Sequence, residues 1–263
     1  MNYLNFLYFL TISIFLFSCS NKQTQNIELK GNAMGTFYFI KLIDVPKKIK
    51  KEQLTLEINK TLLEINKIVS NWDSLSEISI LNNNKTLLPI KVSNNLLDVF
   101  KTANFIHIKS KGYFDITLDP IIDLWGFGYK KDKMKKKPPL KEDVLAKLSL
   151  VNQKKYLKIN QPNNELIKKN KDVSFNLSAI GKGYGIDLIS KKLKKLKINN
   201  FLINIGGDIL TNGYNSKKQD WVIGIENPNL QQQFIKEIII SLINCCCKLG
   251  FSIPITQSCF LLL

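Results

Sequence analysis

The segment Asn176-Leu-Ser-Ala-Ile-Gly-Lys-Gly-Tyr-Gly-Ile-Asp187 constrains this chain more than any other. A short apolar stretch runs into three glycines at alternate positions, and Ile186, Ile189, Leu193 and Leu196 then recur at helical spacing. The pattern predicts a strand that turns through glycine into a helix. Glycine lets a backbone come close to a bound group, and a helix start offers free N–H donors and the positive end of the peptide dipole. Lys182, between the first two glycines, adds a mobile cation. Such a turn suits a phosphate or pyrophosphate. The same glycines serve close packing in many α/β turns, so this segment alone leaves both readings open.

The remaining periodicities mix helix and strand without a regular βαβ alternation. That favours an α+β fold, a mixed sheet with packed helices, over a doubly wound sheet. Gly31 to Leu42 reads as a strand, and Leu54, Ile58, Leu62, Ile65 and Trp72 fall on one face of a long helix. Asp73 to Glu77 is turn-like. Ser93 is a candidate N-cap for a helix through Leu96, Phe100 and Ala103, with Gly112 as its stop. His107, the only histidine, continues that apolar stripe and reads as a helix-face or core residue. General acid–base work then falls to a carboxylate, Lys or Tyr. In Asp119 to Gly128, Leu124, Trp125 and Phe127 fit either the wall of a flat heteroaromatic site or the core. Phe201 to Ile205, the Gly206-Gly207-Asp208 turn and Trp221 to Glu226 read as successive strands.

With 263 residues, 44% of them apolar, the chain can bury one large core or two small ones, which excludes wholesale disorder. The net charge of +17 is carried mainly by lysines spread along the sequence. The densest run, Lys130 to Lys141, contains Pro138-Pro139 and no aromatic residue, so it reads as a solvated loop and not a nucleic-acid surface. An anionic membrane surface is a secondary attraction for such a charge.

Met1 to Ser18 carries no charged side chain and ends in Leu16-Phe17-Ser18-Cys19, followed by polar residues. This resembles a bacterial lipoprotein signal. The resemblance implies a signal peptide over 1–18, lipidation of Cys19 and a tether over 19–30. The domain is then lipid-anchored on the extracytoplasmic, periplasmic face of a bacterial cell membrane. A plain hydrophobic anchor also leaves the domain outside the cytoplasm. Cys245, Cys246, Cys247 and Cys259 have no earlier cysteine in the folded part to pair with, and three adjacent cysteines lack zinc-knuckle spacing.

Seven blocks in order resemble the FAD:protein FMN transferases, the ApbE-type flavin transferases. They are Gly31 to Thr36, Ser76 to Asn82, Gly112 to Thr117, Leu124 to Gly128, Leu177 to Asp187, Ile205 to Asp208 and Trp221 to Pro228. The resemblance implies a Mg²⁺-dependent reaction that transfers FMN from FAD to a threonine hydroxyl of a target flavoprotein, with AMP released. The implied partners are FAD, threonine-bearing acceptors such as redox-pump subunits and, through the lipid anchor, the membrane, but no nucleic acid. By position, Met34, Trp72, Tyr113, Phe114, Asp115, Asn176 and Lys182 match places that contact FAD, and Ala179 matches a position whose backbone oxygen joins the metal site. The chain departs from the family after Pro228. A Thr-Ser-Gly segment, a His-Ile-Ile-Asp-Pro-like segment and an Asp-x-x-x-Thr motif with side-chain metal ligands have no counterpart there. The expected architecture is therefore a flavin transferase domain over 31–240 lacking its C-terminal segment, followed by an aberrant hydrophobic tail over 241–263. Such a polypeptide is expected to transfer little FMN, and a noncatalytic FAD-binding lipoprotein is the alternative. The resemblance assigns no catalytic residue.

Overall fold

The computed structural model describes residues 23–128, 138–226 and 234–240. Cys19, most of the lysine run and the segment 241–263 with its cysteines lie outside the described residues. β1 (Thr24–Ala33) and β2 (Thr36–Pro46) form an antiparallel hairpin turned through Met34 and Gly35, both at positive φ. The sequence pattern leads one to expect a tether up to residue 30, yet pairing reaches back to Thr24. Ile27 and Leu29 are buried between exposed neighbours, the period-2 pattern of a half-buried strand.

α1 (Lys51–Val69), α2 (Glu77–Asn83), the short β3 (Ile90–Lys91) and α3 (Asn94–Lys109) follow. A 3₁₀ turn (Ile116–Leu118) leads into α4 (Asp119–Leu124), and then come α5 (Lys141–Leu148), α6 (Gln153–Tyr156), β4 (Leu157–Asn160) and β5 (Glu165–Lys168). α7 (Ser178–Lys195) precedes β6 (Asn200–Ile205), β7 (Asp208–Asn212), β8 (Trp221–Glu226) and β9 (Phe234–Ile240). The main sheet is antiparallel in the order β1-β2-β6-β7, a smaller one runs β3-β5-β4, and β8 pairs with β9. This is the expected α+β arrangement.

α1 and α7 cover one face of the main sheet. Leu54, Ile58 and Leu62 of α1 and Ile186, Ile189 and Leu193 of α7 share a buried cluster with Ile40, Leu42, Phe201 and Ile203. The two helices run antiparallel: Gly181 faces Val69, Gly185 faces Ile65, and the Lys192 ammonium reaches Glu57 at 2.6 Å. A second core joins α3 to the loop before α7, with the Phe100 and Phe175 rings edge to face at 5.1 Å. Ser93 caps α3 as expected, accepting from the Leu96 N–H at 3.1 Å.

Two expectations are corrected. Gly181, Gly183 and Gly185 lie inside α7 and not in a strand-to-helix turn, and residues 169–177 directly before the helix form no strand. A methyl group at Gly181 meets Val69 Cγ2 at 3.1 Å, so Gly181 serves close packing, while one at Gly185 meets Met34 Sδ at an ordinary 3.5 Å. Trp72 lies beyond the end of α1 and is 62% exposed instead of continuing its buried face.

Lys168 of β5 is fully buried. Its ammonium donates to the carbonyls of Leu81 (3.2 Å), Asn82 (3.5 Å) and Asn84 at the C-terminal end of α2, where the helix dipole favours a cation. Burial pushes this amine down to about 8.

Candidate functional site

Two buried asparagines fix the chain in front of α7. Asn71 donates to the Phe175 carbonyl at 2.7 Å and accepts from the Leu177 N–H at 2.9 Å. Asn82 donates to the same carbonyl at 2.9 Å and accepts from the Phe175 N–H at 2.8 Å. Asn176, between them, turns to a different segment. Its N–H donates to the Ile116 carbonyl at 2.7 Å and its Nδ2 to Asp119 at 3.1 Å, while its Oδ1 accepts from the Ser178 N–H at 3.0 Å. These bonds bring three stretches together at the start of α7: the turn after α1, the loop 113–119 and the helix itself.

The loop 113–119 is held from behind. The Asp115 carboxylate accepts from the Thr117 N–H (2.8 Å), the Thr117 hydroxyl and the Gln153 N–H (2.8 Å). His107 donates from Nδ1 to the Phe114 carbonyl at 2.7 Å, because a carbonyl only accepts, and the same nitrogen lies 3.7 Å from Asp115. Phe114 packs half-buried against the second core. With these anchors in place, Tyr113 projects 93% exposed. Trp72 is exposed on the turn beside Asn71, and Trp125 and Phe127 are exposed just after α4, so they are not core residues.

On the next turn of α7, the Lys182 ammonium lies 3.1 Å from Asp208 Oδ1 and 3.4 Å from the Gly206 carbonyl. Met34, in the hairpin turn at φ 53°, packs against Gly181 and Gly185. It also lines a cavity of about 440 Å³ between the β1–β2 hairpin and α1, together with Lys30, Tyr38, Asn59, Leu62 and Asn66. Ala179 sits exposed in the first turn of α7.

Thus the structure gathers Met34, Lys182, Asn176 and Ala179 on one half of α7, with Trp72, Tyr113, Phe114 and Asp115 on the segments tied to its start. The Asp115 carboxylate is engaged by Thr117 of the same loop and by the Gln153 N–H. Sequence reasoning missed Asn71, Asp119 and Asp208. Asp119 is 2% exposed and its signal was the Asp-Pro pair that opens a helix; Asp208 follows the paired glycines of a tight turn. Asn71 had only its place beside Trp72.

The arrangement offers a cation, a helix start and exposed aromatic rings, a set that suits an anionic ligand with a flat ring. A hard divalent cation is a different matter. Mg²⁺ wants about six oxygens, carboxylates among them. Among the described residues no three His, Cys, Asp or Glu side chains converge, and a lone Ala179 carbonyl does not meet that need. The described residues therefore do not fit Mg²⁺ by themselves.

Residues 34–247 match the ApbE family. The chain is 31% identical over 231 residues to the FAD:protein FMN transferase of Vibrio cholerae serotype O1, covering 86% of this chain and 66% of that protein. It is 32% identical over 226 residues to the FAD:protein FMN transferase of Haemophilus influenzae, covering 85% of this chain and 65% of that protein. The solved structure of the flavin transferase ApbE from Vibrio cholerae superposes with a TM-score of 0.74 at 31% identity, over 82% of this chain and 68% of that one. The chain spans about two thirds of the length of these relatives.

Proposed function

The chain belongs to the ApbE family, and on that premise we propose that it binds FAD at the start of α7 and serves the transfer of FMN from FAD to a threonine hydroxyl of an acceptor flavoprotein. The observation that carries the reading is that Asn176 and Lys182 mark that helix end, to which the segments bearing the exposed Trp72 and Tyr113 are hydrogen-bonded through Asn71 and Ile116. In the reaction the pyrophosphate bond between the FMN phosphorus and the AMP oxygen breaks. A new phosphoester forms between that phosphorus and the threonine oxygen, and the threonine proton leaves with AMP as product. This chain's residues hold the substrate for that step. Lys182 meets the negative charge of the pyrophosphate, the aromatic side chains border the isoalloxazine ring, and the His107–Asp115 loop keeps Tyr113 in place.

The proposed setting is the extracytoplasmic face of a bacterial membrane, with Cys19 lipidated and redox-pump subunits among the acceptors. No helix among the described residues is long and apolar enough to cross a membrane. Mg²⁺ belongs to the proposal only as an addition to the assay, since the described residues do not fit it. That misfit favours a second reading, a lipoprotein that binds FAD without transferring FMN, and it motivates the proposal that this 263-residue polypeptide transfers slowly.

The test is incubation of the full chain with FAD, a threonine-bearing acceptor and either Mg²⁺ or a chelator, beside the Vibrio cholerae relative. Mg²⁺-dependent covalent flavin on the acceptor, with equimolar AMP, supports transfer. Saturable FAD binding without covalent flavin or AMP supports the noncatalytic reading. Transfer as fast as the relative's contradicts the proposed impairment, and absence of FAD binding contradicts both readings.

A further inference from the structure

We propose that the lysine-rich end of the domain, made by the end of α7, the start of α1 and the turn between β2 and α1, docks on an anionic lipid headgroup layer. The inference rests on the membrane attachment proposed above.

The antiparallel packing of α1 on α7 places the last turn of one beside the first turn of the other. Val45, Leu54, Leu193 and Ile198 meet in one cluster there, with Ile49 against it. Around this apolar knot Lys48, Lys50, Lys51, Lys194, Lys195 and Lys197 are all exposed. Asp44 and Glu57, the acidic groups at this end, are already engaged by Lys218 and Lys192, and the exposed Glu52 offsets little of the excess.

Helix electrostatics explains only half of this cluster. Lysines in the last turn of α7 complement its negative dipole end. Lys50 at the N-cap of α1 and Lys51 in its first turn sit at a positive end, where cations are unfavourable. An external anionic surface accounts for both groups.

The chain itself points to which surface. β1 begins at this end: Thr24 pairs with Pro46, the Lys47 N–H donates to the Gln23 carbonyl at 3.1 Å, and the Gln25 side chain donates to the Ile49 carbonyl at 2.9 Å. Residues 1–22, with the uncharged apolar run Met1 to Ser18 and Cys19, therefore join the domain beside the lysines. Lipid at the N-terminal segment and anionic headgroups under the lysines are one and the same surface. The rise along α7 separates Lys195 from Ser178, two residues beyond Asn176, by about 26 Å and from Lys182 by about 20 Å. Docking thus leaves the candidate FAD site facing away from the bilayer, open to an acceptor.

The experiment measures flotation of the full chain with vesicles of phosphatidylcholine alone and of phosphatidylcholine with phosphatidylglycerol in equal parts. One variant carries Lys50→Gln, Lys51→Gln, Lys194→Gln and Lys195→Gln. A control removes the same charge elsewhere, through Lys141→Gln, Lys147→Gln, Lys154→Gln and Lys158→Gln. The expected result is a preference for anionic vesicles that falls about tenfold or more in the first variant and is kept in the control, since each lysine near such a surface adds to binding. A preference that survives in the first variant, or falls equally in the control, overturns the proposal. So does wild-type protein that leaves anionic vesicles for added single-stranded RNA. Absence of binding to neutral vesicles in every variant contradicts the anchoring reading instead, and the anionic preference is still scored separately. Melting temperatures and FAD titration of the variants show that fold and candidate site are intact.

Discussion

Lys182 and Asp208 form an ion pair at 3.1 Å that ties the second turn of α7 to the β6–β7 hairpin. Both side chains are partly exposed, so the pair adds under about 0.5 kcal/mol to stability. Its consequence is for ligand binding: Asp208 competes with any anion for the ammonium. Asp208→Asn is expected to tighten FAD binding about threefold to tenfold, with little change in melting temperature, as measured by flavin fluorescence titration at low and high salt. Weaker binding in this variant places Asp208 on the ligand's side of the contact.

Asn71 is 3% exposed and bridges the Phe175 carbonyl and the Leu177 N–H. Asn71→Ala leaves the Leu177 N–H unpaired in a dry site and takes one of two donors from the Phe175 carbonyl, which keeps Asn82, and the expected loss is about 2 kcal/mol. Urea unfolding checks this, and the accompanying FAD titration is expected to weaken because the start of α7 loses its register with Trp72. Asn71→Asp keeps an acceptor for Leu177 but puts an oxygen against the Phe175 carbonyl, so it rescues neither.

Asp187 gives a pH test with a definite sign. Burial in α7 pushes its carboxyl up to about 6, above the ordinary value of 3.8. The folded state therefore holds this proton more tightly than the unfolded one. The stabilisation is full below the unfolded value and is lost as pH rises through about 6. Asp187→Asn imitates the protonated form. Relative to wild type it is expected to gain stability between about pH 4 and 6 and then to hold a constant advantage of about 3 kcal/mol. Chemical denaturation at a series of pH values measures the difference, and a gain confined to low pH contradicts the assignment.

Gly206 has φ 54° and faces the Thr36 side chain, where an added methyl group sits 2.6 Å from Cγ2. Gly206→Ala combines left-handed backbone strain with a clash and is expected to cost about 2 kcal/mol. Because the Gly206 carbonyl faces Lys182, FAD affinity is expected to fall as well. Thr36→Ser, which opens space on the same spot, restores part of the stability of the double variant.

The helices and strands were legible where one face is buried. Leu54, Ile58, Leu62 and Ile65 marked α1, Ser93 marked the start of α3, and Ile186, Ile189 and Leu193 marked α7. The glycines of α7 were misplaced into a turn because their surroundings are tertiary: Val69, Ile65 and Met34 come from segments far along the chain. Trp72 fits the helical period but lies past the last helical turn, a boundary that periodicity does not report. The buried clamps Asn71 and Asn82 were invisible for a similar cause. Their partners at Phe175 and Leu177 become neighbours only when the second core closes around Phe100.

The most direct measurement is an equilibrium titration of FAD against the full chain and its Lys182→Ala variant, with melting temperatures taken on the same samples. The account predicts saturable one-to-one binding by the wild type. It predicts affinity at least about tenfold weaker in the variant, the loss of a charge-assisted contact, at an unchanged melting temperature. No saturable binding, or equal affinity in the two proteins, contradicts the placement of FAD at the start of α7.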